Sequence, residues 1–162
     1  MLQIIAKIPL FVWPLFILLL WAGLRARKSN PVPLIVLIAM PTFFFTWSLF
    51  SFLGNYGHDL TAILLWILCL GIGFAVGFAH MQSLELRFDK YKVEMEGSWI
   101  PLMLSMSIFT SKFSVGMLRA LRPDLSESLG LLGLELFAIL IVGIFGGRGI
   151  GCMVRYAQFA SK

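Results

Sequence analysis

Long apolar runs are the feature that most constrains what this chain can fold into. A helix of about 20 apolar residues crosses a hydrocarbon layer about 30 Å thick. Five runs suited to this cover about residues 8–24, 33–53, 60–81, 99–118 and 129–147, and the fifth has an interfacial helix to Gln158 as its alternative continuation. Only 13% of the residues are charged, whereas soluble domains contain about 25%. We therefore expect an all-α integral membrane protein, with a single domain over residues 1–162 and five transmembrane helices.

Basic residues at the ends of these runs predict how the chain is oriented. Because they do not form one patch, the net charge of +5 does not indicate a nucleic-acid partner, and we expect the lipid bilayer to be the main partner. If the runs alternate in direction, one side receives Arg25, Arg27, Lys28, Arg87, Lys90, Lys92, Arg148, Arg155 and Lys162. The other side receives Lys7, Arg119 and Arg122. Loops on the cytoplasmic side of a membrane carry the excess of Lys and Arg, so the side with more basic residues is predicted to be cytoplasmic. The multi-pass chain then has its N-terminus outside and its C-terminus in the cytoplasm.

Apolar and charged residues alternate between the third and fourth runs, which predicts a short cytoplasmic β-hairpin over about residues 84–95. Asp89 and Lys90 form its expected loop. The predicted cross-strand pairs are Phe88 with Tyr91, Leu86 with Val93, and Leu84 with Met95. The loop lacks the glycine that tight turns favour, and this register would place Glu85 opposite Glu94. Since a lone hairpin is marginally stable, we expect its apolar face to rest on helix ends or on the membrane surface.

The segment from this hairpin to the end of the fourth run carries a family resemblance. Its residues are Leu86-Arg87-Phe88-Asp89, Gly97-Ser98-Trp99-Ile100-Pro101-Leu102, Phe109, Lys112, Gly116 and Ala120-Leu121-Arg122-Pro123. They resemble an uncharacterised family of small bacterial inner-membrane proteins, in which a Gly-Ser-Trp-x-Pro-Leu segment opens a transmembrane helix. A more distant likeness is to the CcdC-like membrane proteins. The resemblance implies a bacterial inner (cytoplasmic) membrane location and brings no activity, and the hairpin turn here lacks the glycine expected from it.

Two ionisable residues inside predicted spans, Lys112 and Glu135, each require a partner or water. A charge at this depth costs at least about 2.5–3.5 kcal/mol on insertion scales. Lys112 lies nine residues before Leu121 and Glu135 lies nine after Ser126, so antiparallel helices place both at a similar depth. Our first interpretation is a structural ion pair that fixes helix register. The alternatives are a proton, ion or substrate site, and a lysine that extends to the outer interface.

Further polar residues accompany this pair. Ser105, Lys112 and Arg119 recur every seven residues on the fourth helix, so they share one face, which we expect to point into the bundle. His80 is expected to face the bundle near the cytoplasmic end of the third helix, either packed there or handling protons. The candidate intramembrane polar site therefore comprises Lys112, Glu135, Ser105, Arg119 and His80.

Glycines recur every four residues on the third and fifth helices, a spacing that lets helix backbones approach closely. They are Gly73 and Gly77 on one helix, and Gly143, Gly147 and Gly151 on the other. We expect these glycine-zipper faces to pack against each other or across a homo-oligomer. Residues 146–149 resemble a phosphate loop in composition, but they follow no strand and lack GxxxxGK[ST]. We therefore place Arg148 at the cytoplasmic interface of a packing helix.

The sequence offers no pattern that indicates catalysis. Cys69 and Cys152 lie in or near predicted helices without CxxC or metal-ligand spacing, so we expect two packing thiols and no metal site. GxSxG, HExxH and paired carboxylates within one span do not occur, and we expect no enzyme activity, no catalytic residue and no cofactor. The leading hypothesis is a structural or accessory membrane protein with a membrane partner. The alternative is a small transporter or channel-like subunit with a polar intramembrane site.

Overall fold

Helices make up most of the structure, a computed structural model that describes residues 12–26, 31–84, 87–89, 92–94, 98–122 and 128–160. The helices are α1 Val12–Ala26, α2 Leu34–Tyr56, α3 Leu60–Gln82, α4 Ile100–Leu121 and α5 Leu129–Ala160. The strands are β1 Pro31–Pro33, β2 Arg87–Asp89 and β3 Lys92–Glu94. Each described helix therefore falls on one of the predicted apolar runs.

Three of these helices, α3, α4 and α5, are long and apolar enough to cross a membrane. This number of apolar helices fits a membrane location. It supports three of the five predicted spans. The described part of α1 has 15 residues and would extend about 22 Å, which is less than the hydrocarbon thickness of about 30 Å. The α2 helix has 23 residues, with Pro41 inside it.

Local sequence explains where several helices begin and end. The Asp59 side chain caps α3 by accepting hydrogen bonds from the backbone N–H groups of Thr61, at 2.8 Å, and Ala62, at 3.3 Å. Pro101 occupies the first turn of α4, where its missing N–H costs nothing. The fifth apolar run ends near residue 147, and the helical continuation expected to Gln158 is present, because α5 runs as one helix to Ala160. Glycines weaken a helix, but here they allow α5 to keep packing against α3.

Glycines bring the backbones of α3 and α5 into direct contact. A Cβ atom added to Gly143 would lie 2.5 Å from the carbonyl oxygen of Leu70, and one added to Gly73 or Gly77 would overlap the backbone of α5. Gly73 lies against Leu140 and Gly77 against Ile144, so the two helices run parallel. The two glycine faces of the sequence therefore meet within one chain.

Aromatic and aliphatic side chains fill the space between α2, α3, α4 and α5. Phe44, Phe52, Ile108 and Ile139 are each at most 1% exposed. The α1 helix packs on α4, where Gly23 contacts Leu102 and the ring centroids of Phe16 and Phe109 are 5.4 Å apart.

The three short strands form one antiparallel sheet in the order β1-β3-β2, which corrects the predicted two-stranded hairpin over residues 84–95. Observed register partners are Phe88 with Val93, Arg87 with Glu94, Asp89 with Lys92, and Val32 with Val93. The predicted pairs of Phe88 with Tyr91 and Leu86 with Val93 are therefore wrong by two residues. A shift of two residues leaves the alternation of residues between the two faces of the sheet unchanged. The remaining predicted pair, Leu84 with Met95, and the loop residue Lys90 involve positions outside the described residues.

Candidate functional site

The Glu135 carboxylate is the centre of a buried polar cluster. Glu135 is 1% exposed and lies less than two helical turns after the start of α5. The Nζ atom of Lys112 on α4 donates a hydrogen bond to Glu135 Oε2, and the lysine side chain is 6% exposed. Because α4 ends at Leu121 shortly before α5 begins at Leu129, the two helices bring these side chains to the same depth. The pair is a direct ion pair in a buried position.

The second carboxylate oxygen is also occupied. Ser51 Oγ on α2 donates to Glu135 Oε1 at 3.3 Å, and Arg119 Nη1 on α4 lies 3.5 Å from the same oxygen. We call Ser51, Lys112, Arg119 and Glu135 the Glu135 cluster. Both carboxylate oxygens receive donors from the other members, so this arrangement cross-links α2, α4 and α5.

Arg119 is only partly satisfied by this cluster. Its guanidinium carbon lies 5.4 Å from the ring centroid of Tyr56, which is a cation–π contact. Its Nε and Nη2 atoms are buried and have no hydrogen-bond partner among the described residues. The cluster also joins two basic side chains to one acidic side chain, and its formal charge is therefore positive.

Three of the five residues of the predicted polar site lie together in the structure. Lys112, Glu135 and Arg119 come together, whereas the Ser105 hydroxyl donates to the Leu102 carbonyl of its own helix at 3.0 Å. His80 lies near the C-terminal end of α3, roughly 20 Å from the level of Glu135 if each residue adds 1.5 Å. Its Nε2 atom is buried and unpartnered among the described residues. Ser105 is buried, as expected for the inward face of α4, but among the described residues neither it nor His80 bonds to the ion pair, because helical phase alone does not fix depth or rotamer.

Ser51 is the cluster residue that the sequence analysis misses. It lies on α2 three residues after Ser48 and four before Asn55, so these polar residues share one helix face. A polar stripe at that spacing on an apolar helix indicates an inward face, as it does on α4. This spacing of polar residues is therefore the sequence signal for Ser51.

A second group of basic side chains lies at the opposite end of the bundle. Arg155 Nη1 donates to the carbonyl oxygens of Met81, at 3.0 Å, and Leu84, and so caps the end of α3. Arg148 is 8% exposed, and its Nη1 atom has no partner in the described part of the chain. Arg148 is therefore enclosed by the bundle, and its position at the cytoplasmic interface stays a prediction. Cys152 and Cys69 are free, and no group of three metal-binding side chains occurs among the described residues.

An apolar groove of about 470 Å³ lies between α2, α3 and α5. Pro41 and Phe45 line it from α2, Ile67 and Phe74 from α3, and Met153 from α5. The groove is thus separate from the Glu135 cluster and suited to an apolar occupant.

Comparisons of the chain with protein-family models, curated proteins and solved structures found no match.

Proposed function

We propose that the chain is a multi-pass protein of the bacterial inner membrane that crosses it five times. The support is that α1 and α2 each coincide with an apolar run and that contacts between the described helices give them alternating directions along the chain. Arg25, Arg148 and Arg155 occur towards one end, and Arg119 and Arg122 towards the other. By the positive-inside rule this proposal puts the N-terminus outside and the C-terminus in the cytoplasm.

We also propose that its role is non-enzymatic, structural or accessory to a membrane partner or a second copy. The observation that carries this proposal is that side chains from both α2 and α4 bond to the buried Glu135 carboxylate of α5. A carboxylate held in this way fixes the relative positions of helices, and the backbone contact between α3 and α5 adds rigidity. The chain is then a stiff bundle suited to supporting another protein.

The reconstituted protein tests this role. Wild type and the double variant Lys112→Met/Glu135→Gln are placed in liposomes, and fluxes of protons, potassium and chloride are measured against protein-free liposomes. A structural or accessory protein gives no flux above the empty liposomes in either case. Flux in wild type that disappears in a folded double variant would contradict the proposal.

The rival function, a small transporter or channel-like subunit, is favoured by buried polar atoms without described partners near both ends of the bundle. These atoms belong to His80, Arg119 and Arg148. A polar path would use them together with the ion pair, so Arg148→Met should then reduce flux as strongly as the double variant does.

A partner contact is tested at the apolar groove. A photo-reactive residue at Ile67, which lines the groove, is compared with one at Leu64, which is exposed on the same helix and does not line it. A discrete protein cross-link from position 67 and none from position 64 supports a partner or second copy. Equal lipid labelling from both positions would show that lipid fills the groove.

A further inference from the structure

We propose that Arg119 forms a binding site for one oxyanion, a phosphate or carboxylate group, held by its Nε and Nη2 atoms. The proposal is independent of the structural role above. It begins from the observation that these two nitrogens are buried and have no hydrogen-bond partner among the described residues, while the third, Nη1, is directed to Glu135.

The two unpartnered nitrogens lie on one edge of the guanidinium group. The Nε–H and one Nη2–H bond point in the same direction and match the spacing of two oxygens of a carboxylate or phosphate, which gives paired, charge-assisted hydrogen bonds. A lysine ammonium has no such edge. The chemical class that fits is therefore a planar or tetrahedral oxyanion.

The surroundings hold this edge in a fixed orientation. Glu135 Oε1 lies 3.5 Å from Nη1, and the guanidinium carbon lies over the Tyr56 ring, 5.4 Å from its centroid. With two contacts of this kind, the arginine loses little additional freedom when it binds an anion. The side chain is 17% exposed, so one part of it reaches the bundle surface while the nitrogens are covered.

Charge balance supports the same conclusion. Lys112 is already paired with Glu135, so the carboxylate is shared between two cations and the described cluster has one positive charge in excess. A buried cation without a full counter-charge is unfavourable, and an oxyanion at Nε and Nη2 would neutralise it. The oxyanion can be free in solution or part of a phospholipid headgroup.

The test compares Arg119→Lys with Arg122→Lys, a matched change at the exposed residue that follows the same helix. The full chain is purified in an uncharged detergent, and thermal stability is titrated with sodium phosphate against sodium chloride at equal ionic strength. We expect phosphate to stabilise wild type and Arg122→Lys saturably. Arg119→Lys should bind phosphate on the order of tenfold or more weakly, because one charge-assisted hydrogen bond is lost.

A second arm separates the sources of the oxyanion. Native mass spectrometry of the same three proteins counts phospholipids that remain bound after purification. One retained phospholipid in wild type and Arg122→Lys, lost in Arg119→Lys, supports a headgroup as the ligand even if free phosphate has no effect. If neither arm distinguishes Arg119→Lys from Arg122→Lys, the proposal is overturned.

A variant that fails to fold does not prevent the test. Wild type labelled with ¹⁵N-arginine is then titrated with phosphate, and the Nε–H resonances are followed by NMR. Saturable movement of one solvent-protected Nε–H resonance supports the site. The absence of any saturable movement, in protein carrying no bound phospholipid, would overturn it.

Discussion

Removing Lys112 and Glu135 singly should destabilise the bundle to different extents. Glu135→Gln leaves Lys112 and Arg119 buried side by side without their counter-charge. Lys112→Met leaves Glu135 with donors from Ser51 and Arg119. Since breaking a buried pair costs about 3–5 kcal/mol, we expect Glu135→Gln near the upper value and Lys112→Met near the lower one.

The double variant Lys112→Met/Glu135→Gln should then be partly rescued. It keeps one buried cation, Arg119, instead of two adjacent ones, so its cost should fall well below the sum of about 8 kcal/mol expected for independent sites. The free energy of unfolding is measured in mixed micelles by SDS titration, followed by tryptophan fluorescence. Ser105→Ala is the matched control on the same face of α4, and it should cost no more than about 1 kcal/mol because its hydroxyl bonds only to its own helix. An additive double variant, or a Lys112→Met that costs more than Glu135→Gln, would refute this reasoning.

Three further changes test the packing, the cluster and one cap by the same unfolding measurement. Gly77→Ala should reduce the free energy of unfolding by about 1–3 kcal/mol, because the added Cβ would overlap the Ile144 backbone. Gly71→Ala should cost nothing, because its Cβ meets open space. Equal effects would contradict the close contact. Ser51→Ala should cost about 1 kcal/mol by removing a donor from Glu135, and a loss of zero would remove Ser51 from the cluster. Asp59→Ala should cost about 1 kcal/mol because it removes the capping oxygen of α3. Asp59→Asn keeps such an oxygen and should cost clearly less. Similar losses in the two variants would argue against the cap.

The helix positions and the ion pair could be derived from sequence because they depend on local regularities. Lys112 and Glu135 lie at similar distances from a shared turn, and two charges at one depth in an apolar bundle favour pairing. The glycine spacing likewise indicated which faces approach closely. It could not decide between a contact within the chain and one between chains, which the parallel arrangement of α3 and α5 now shows within one chain.

Other features depend on contacts between distant parts of the chain. The register of β2 and β3 differs from the prediction by two residues. The β3 strand also pairs with β1, a Pro-Val-Pro segment whose last residue is the predicted start of the second apolar run. The burial of Arg148 and the capping of α3 by Arg155 likewise require knowing that α5 continues along α3 to its end. Periodicity within one segment contains none of this information.

Reporter fusions at successive loops test the five-span arrangement most directly. Green fluorescent protein, which fluoresces in the cytoplasm, and alkaline phosphatase, which is active in the periplasm, are fused after positions 28, 58, 90, 125 and 162. The account predicts cytoplasmic signals at 28, 90 and 162 and periplasmic signals at 58 and 125. Positions 28 and 58 reporting the same side would show that α2 does not cross the membrane, and a periplasmic signal at 162 would contradict the proposed orientation.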